Sequence, residues 1–179
     1  MEMWDEYDIN RVKTGKTRMR GEGRGDGVYQ MVIHAAVFNS EGKMLIQKRQ
    51  KTAHSWPDLW DVSCGGHVIS GEDCRQAATR ELKEELGLDV DLEGVLPNFS
   101  FTWNGGFDEY FLLEMDVDIK SISLQESEVQ DVAWATREEI HEMIRDGRFI
   151  TYYEHLIDLM FDMRGKYGVH SNIDNKYRK

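Results

Sequence analysis

Apolar positions along the chain follow two periods. "MVIHAAVF" (31–38) is a near-continuous apolar run, the pattern of a strand buried on both faces. "NSEG" (39–42) is turn chemistry, and "KMLIQKRQ" (43–50) then reads as the return strand of a hairpin. Further strands are predicted near Trp60–Ser63 and over 90–102, 107–117 and 129–135. Residues 4–20 read as two short strands around a turn near Thr14–Gly15, followed by a flexible connector, "GEGRGDG" (21–27). Helical spacing is found over about 72–86, 137–146 and 150–164. Ser70 with Asp73 three residues on suggests a cap for the first helix, and Gly87 suits its left-handed end. Thr136 with Glu139 is a capping box for the second, which Gly147 ends. The third carries an apolar stripe through Tyr153, Leu156, Ile157 and Met160, read as core or dimer packing, so a homodimer stays open. Strands and helices mixed within one core predict an α/β fold.

The 179 residues allow one well-buried core and are short for two. With only two prolines, no proline-rich linker divides the chain. The expected division is an N-terminal hairpin and connector over 1–27, a main domain over 28–165 and a polar tail over 166–179. No apolar run approaches the roughly 20 residues that span a bilayer. "MEMWDEYDIN" lacks the basic and apolar regions of a secretory signal, and Cys64 and Cys74 suit a reducing compartment. A cytoplasmic protein is expected. The net charge of −11 disfavours nucleic acid and any other anion unless a cation intervenes.

That charge is concentrated oddly in "RELKEELGL" (80–88), where Glu81, Glu84 and Glu85 fall within one and a half helical turns. Like charges three and four apart repel by about a few tenths of a kcal/mol per pair. At about 100° per residue, Glu81 at zero puts Glu85 near +40° and Glu84 near −60°. Ala78, Leu82 and Leu86 form the core-facing stripe, so the glutamates lie on the shoulder between core and solvent. Cys74 and Ala77 share that shoulder and, being small, are expected to leave room above the carboxylates. Arg80 lies within reach of Glu84 and can reach back towards Glu72. A solvated charged face is the bland alternative. Carboxylates clustered beside a core suit a hard divalent cation, Mg²⁺ or Mn²⁺.

From Gly66 the chain runs "GHVISGEDCRQAATRELKEELGL". This resembles the Nudix box: Gly, five residues, Glu, seven residues, then Arg-Glu-apolar-x-Glu-Glu-x-Gly-apolar. Gly66, Glu72, Arg80, Glu81, Leu82, Glu84, Glu85, Gly87 and Leu88 fill its defined positions. The resemblance implies an α/β/α sandwich with a mixed sheet. It also implies a Mg²⁺-dependent hydrolase cleaving a nucleoside diphosphate linked to another moiety, by attack of water on phosphorus. Carried over by position, Glu81, Glu84 and Glu85 would be metal ligands, one of them a base. A carbonyl near Gly66 would add a ligand, and Glu72 and Arg80 would orient the carboxylates. The implied partner is a small diphosphate, with neither nucleic acid nor membrane involved.

A second resemblance runs through "IHAAVFNSEGKMLIQKR", "SWPDLW" and "CGGH", which are similar to isopentenyl diphosphate isomerase, a Nudix-fold enzyme. It implies metal histidines at His34 and His67, a diphosphate-binding arginine at Arg49 and a catalytic glutamate at Glu109. The catalytic Cys of that family stands directly before the Gly-His pair. Here Gly65 holds that place, Cys64 is one residue early, and Phe107 stands where a second metal glutamate is expected. A one-residue slip in a strand reverses the side chain. Hydrolysis is therefore the leading reading, with isomerase or ligand sensor as alternatives. Read singly, His34 suits a core histidine, His67 a substrate contact and Cys64 a small buried residue. Trp56, Trp60 and Trp103 suit the core, although Trp103 could stack a base or prenyl chain. Glu109 belongs to the site if its strand face looks inward, and Glu128 is a further candidate base.

Overall fold

The computed structural model describes residues 2–168 and residue 170. The tail expected over 166–179 lies mostly outside these residues.

β1 (Met3–Tyr7) and β2 (Lys13–Met19) form an antiparallel hairpin, a two-stranded sheet of their own. Its turn is Asp8–Val12, not Thr14–Gly15, which lie within β2. The Asp8 carboxylate makes the difference, accepting from the backbone N–H of Asn10 and of Val12, each at 2.9 Å.

Seven strands build the main sheet: β3 (Gln30–Phe38), β4 (Met44–Arg49), β5 (Trp60–Asp61), β6 (Cys64–His67), β7 (Phe99–Trp103), β8 (Gly106–Glu114) and β9 (Val129–Ala135). The order is β5-β4-β3-β8-β7, with β6 on β3 and β9 on β4. β3 and β8 run parallel, while the other pairs are antiparallel, so the sheet is mixed. The β3–β4 hairpin is held in register only at Phe38↔Met44. The strands then diverge: β3 takes β6, from Val32↔His67 to Ala35↔Cys64, and β4 takes β9. The strand expected over 90–102 shortens to β7, because Leu92 is drawn into the core from a loop.

α1 (Cys74–Leu86) is capped by Asp73 with Gln76 in a full capping box, not by Ser70, whose hydroxyl donates to Asp5 on the hairpin. Gly87 ends it at φ 69°. α2 (Arg137–Arg145) has the expected Thr136–Glu139 box. α3 (Glu154–Met163) starts later than 150, and Tyr153, its N-cap, is 87% exposed and outside the apolar stripe. Ile157 and Met160 are fully buried, so the stripe serves the core.

Ile33, Ala35, Val37 and Phe111 face α1, packing with Ala78, Leu82 and Leu86. Ala36, Phe38, Tyr110 and Leu112 face the other way, against Ile140, Ile157 and Met160 of α2 and α3. Covering on both faces explains the unbroken apolar run of β3 and makes the α/β/α sandwich that was expected. No helix among the described residues is long and apolar enough to cross a membrane.

Candidate active site

Burial of the α1 carboxylates follows their angle from the core stripe. The Glu85 residue is 2% exposed, whereas the side chains of Glu81 and Glu84 are 14% and 52% exposed. Arg80 organises them. Its Nε and Nη2 donate to the two Glu72 oxygens at 2.8 and 3.1 Å, and Nη2 also donates to the His67 carbonyl at 3.2 Å. Its Nη1 lies 2.9 Å from Glu81 Oε1 and 3.1 Å from Glu84 Oε2. Burial opposes the Arg80 charge, but the carboxylates of Glu72, Glu81 and Glu84 outweigh it and hold its pKa above the ordinary value.

The room for Glu81 does not come from Cys74 and Ala77. Ala77 is fully buried in the core, with Cys74 packed against that cluster. It comes from Gly66 on β6, where a Cβ would overlap the Glu81 carboxylate. Burial, only partly offset by Arg80, raises the Glu81 pKa to about 7. Burial and then repulsion from Glu81 raise Glu85 to about 8, although Gln47 Nε2 donates to it at 3.0 Å.

Beside these carboxylates lies a cleft of about 830 Å³ where β3 and β4 part. Gly66, His67, Arg49, Arg80, Glu81 and Glu84 all line it, as do His34 and Glu128. A larger groove, about 1170 Å³, runs along the outside of α1 and takes in none of the three glutamates. His34 is a floor residue rather than a satisfied core histidine: it stacks on Tyr110 at 4.5 Å, and its Nδ1 has no partner among the described residues. Trp103 and Trp56 line the cleft and are exposed, contrary to the core reading, while Trp60 packs against the core.

Glu109 is not brought to the cleft. It shares the sheet face of Phe111, on the α1 side, where it pairs with Arg11 of the hairpin turn and accepts from the Ser100 hydroxyl. Its neighbour Asp108 takes the cleft face instead. Cys64 also faces the α1 core, fully buried, while Gly65 opposite His34 holds the cleft side. Burial, followed by the nearby Glu85 and Glu81 charges, pushes the Cys64 thiol well above its ordinary pKa. Asp61 went unforeseen, since nothing local marks it. It is buried at the cleft wall, accepts from Tyr152 Oη at 3.0 Å and lies 3.5 Å from Arg49 Nη1.

The family model for the NUDIX domain matches residues 28–153. The chain belongs to the Nudix family. It is 41% identical over 170 residues to an uncharacterized Nudix hydrolase of Listeria monocytogenes, covering 95% of this chain and 99% of that one. It is 32% identical over 121 residues to an isopentenyl-diphosphate Delta-isomerase of Cutibacterium acnes, covering 61% of each. A solved protein of Deinococcus radiodurans superposes with a TM-score of 0.70 at 25% identity, covering 89% of this chain and 97% of that one. This Nudix protein is thus a hydrolase, of a family that cleaves diphosphate linkages and generally uses divalent cations.

Among the described residues, no three His, Cys, Asp or Glu side chains converge as a ready-made metal shell. The physical reason is Arg80, which holds Glu72, Glu81 and Glu84 to itself, while Glu85 turns to Gln47. The donor set nevertheless fits a hard cation. All the donors are oxygens, Gly66 clears the space beside Glu81, and the two inner carboxylates carry raised pKa values that nearby positive charge would relieve.

Proposed function

We propose that this Nudix hydrolase cleaves a nucleoside diphosphate linked to another moiety, by attack of water on phosphorus, with Mg²⁺ or Mn²⁺. The observation that carries the reading is the Glu81 carboxylate, lodged in the notch left by Gly66 at the edge of the cleft. Glu81, Glu84, Glu85 and the Gly66 carbonyl would hold the cation. When bound, it neutralises the substrate's charge and makes water a better nucleophile near neutral pH. Arg80, braced by Glu72, orients the carboxylates. Glu81 and Glu128 both line the cleft, and either would take a proton from the attacking water. Arg49 and His67 face the substrate, and Asp61 steadies Arg49. Charged and hydrogen-bonding side chains such as Arg49, His67 and Glu128 line the cleft and suit a sugar or nucleoside, while Trp56 and Trp103 add apolar surface on which a base could stack.

The hairpin and connector over 1–27 and the catalytic domain over 28–165 are part of this reading, supported by the hairpin's separate sheet and by the start of the family match. The free cysteines favour the cytoplasm.

The test is a panel of nucleotide sugars, dinucleotides and nucleoside triphosphates with Mg²⁺ or Mn²⁺. Turnover is expected, and Glu84→Gln should lower it by about 10³-fold. Binding without turnover of any member would favour a sensor. The likeness to an isomerase keeps that second reading in view, but the inward-facing Cys64 speaks against it.

A further inference from the structure

The hairpin lies before the residues matched by the family and is fastened to the loop that leads into α1. Ser70 N–H donates to the Met3 carbonyl at 2.7 Å, and the Asp5 carboxylate accepts from Ser70 Oγ at 2.8 Å and from Gly71 N–H at 3.0 Å. Lys13 Nζ donates to the Glu72 carbonyl at 2.7 Å. Trp4 of β1 lies flat on the His67 ring, with centroids 4.0 Å apart and planes 8° from parallel. Arg18 of β2 is only 6% exposed, unusual for a guanidinium, and stands over Trp4 at 5.5 Å.

These contacts determine where the His67 proton sits. Arg18 Nη2 lies 2.6 Å from a polar atom of the Gln30 amide. A guanidinium can only donate, so that atom is the amide oxygen. The Gln30 NH₂ must then face His67 Nε2, at 3.2 Å, and it too can only donate. His67 Nε2 is therefore the acceptor. A neutral imidazole whose Nε2 is bare carries its proton on Nδ1, and a doubly protonated ring would set one N–H against another. No acceptor among the described residues takes that Nδ1 proton, and His67 lines the cleft beside Gly66.

We infer that the N-terminal hairpin is a working part of the active site: through Arg18 and Gln30 it locks His67 as the Nδ1–H tautomer, which donates to an oxygen of the bound diphosphate. Trp4 holds the ring plane, and Arg18 and Gln30 are positioning residues. With Nε2 engaged and Nδ1 protonated, the ring offers no lone pair to a cation. Metal binding is left to the carboxylates, unlike the histidine ligation that the isomerase resemblance implies.

The identity of the ligand rests on the diphosphate-hydrolase reading, whereas the proton position does not. Nitrogen-15 NMR of the His67 ring reads it directly, without turnover. Nδ1 should be the protonated nitrogen in the natural protein. Gln30→Glu, close in shape, presents a carboxylate oxygen in place of the NH₂, so the proton should move to Nε2. For ligand binding the probe is methylenebisphosphonate, a non-hydrolysable diphosphate, with Mg²⁺. The neutral Gln30→Met variant should weaken it about tenfold, the scale of one hydrogen bond to a charged group. The effect should vanish in a His67→Ala background, which a general structural loss would not produce. A natural-protein spectrum with Nε2 protonated overturns the lock. Unchanged probe affinity in folded Gln30→Met overturns the substrate contact. A failed hydrolysis panel with the expected ring spectrum removes the catalytic reading and leaves the lock standing.

Discussion

The Glu81 carboxylate fills the volume that a Cβ on Gly66 would need, so the two residues cannot both carry side chains in this arrangement. Gly66 is not among the glycines with positive φ, and alanine would suit its backbone. The cost of Gly66→Ala therefore falls on Glu81, which must swing out of its notch. Misplacing a catalytic group by about 1 Å can cost about 10²-fold in rate. Steady-state kinetics on whichever panel member turns over should show that loss mainly in kcat, with the melting temperature changed little. Full activity in the alanine variant would remove the notch from the mechanism.

Much of this site can be read from helical geometry. The 100° step sorts Glu85, Glu81 and Glu84 by angle, and their burial falls in that order. Periodicity and capping likewise place three helices and most strands of the main sheet. What stays hidden locally is which face of a strand is which. Alternation separates Asp108 from Glu109 but does not say which of them meets the cleft. Arg11 on Glu109 and Trp4 on His67 are contacts between distant segments, formed by the docking of the hairpin, and no local pattern carries them. The turn at Asp8–Val12 was hidden by Gly15, a stronger turn signal by composition that sits inside β2.

Without a divalent cation, this protein should lose stability as pH rises from about 6.5 to about 8. Glu81 and Glu85 have folded-state pKa values of about 7 and about 8, above the ordinary 4.5, chiefly through burial. Such acids favour folding while protonated. Their contribution is complete below about 4.5 and is lost as pH climbs through 7 and 8. His67 acts in the opposite sense, its pKa lowered by burial from 6.5 to about 4, but its contribution is complete above 6.5. Between pH 6.5 and 8 the glutamates dominate, with a loss on the order of 1–2 kcal/mol. Chemical denaturation in EDTA across that range should show the decline. Mg²⁺ should reverse it, and Glu85→Gln should flatten it.

Glu109→Gln separates fold from chemistry. The carboxylate is buried, paired with Arg11 and bonded to Ser100, on the sheet face away from the cleft. Removing its charge leaves a half-exposed arginine unpaired and loosens the hairpin turn. A stability loss of about 2 kcal/mol is expected, with kcat changed by no more than a few-fold. A drop in kcat of orders of magnitude at unchanged stability would return Glu109 to the catalytic set.

Cys64 provides the sharpest test between hydrolysis and isomerisation. Its position one residue before Gly65 turns the side chain into the α1 layer, where it is fully buried beside Glu85. Burial holds the thiol well above its ordinary pKa, so little thiolate, the reactive form, exists near neutral pH. Alanine removes one buried sulfur and should cost about 1 kcal/mol of stability. Hydrolysis should persist, because the thiol has no path to a ligand in the cleft. Proton NMR with isopentenyl diphosphate should show no dimethylallyl product from either protein. Formation of that product by the natural chain and its loss in Cys64→Ala would mean that the cysteine reaches substrate, and the inward orientation of β6 at this residue would have to be given up.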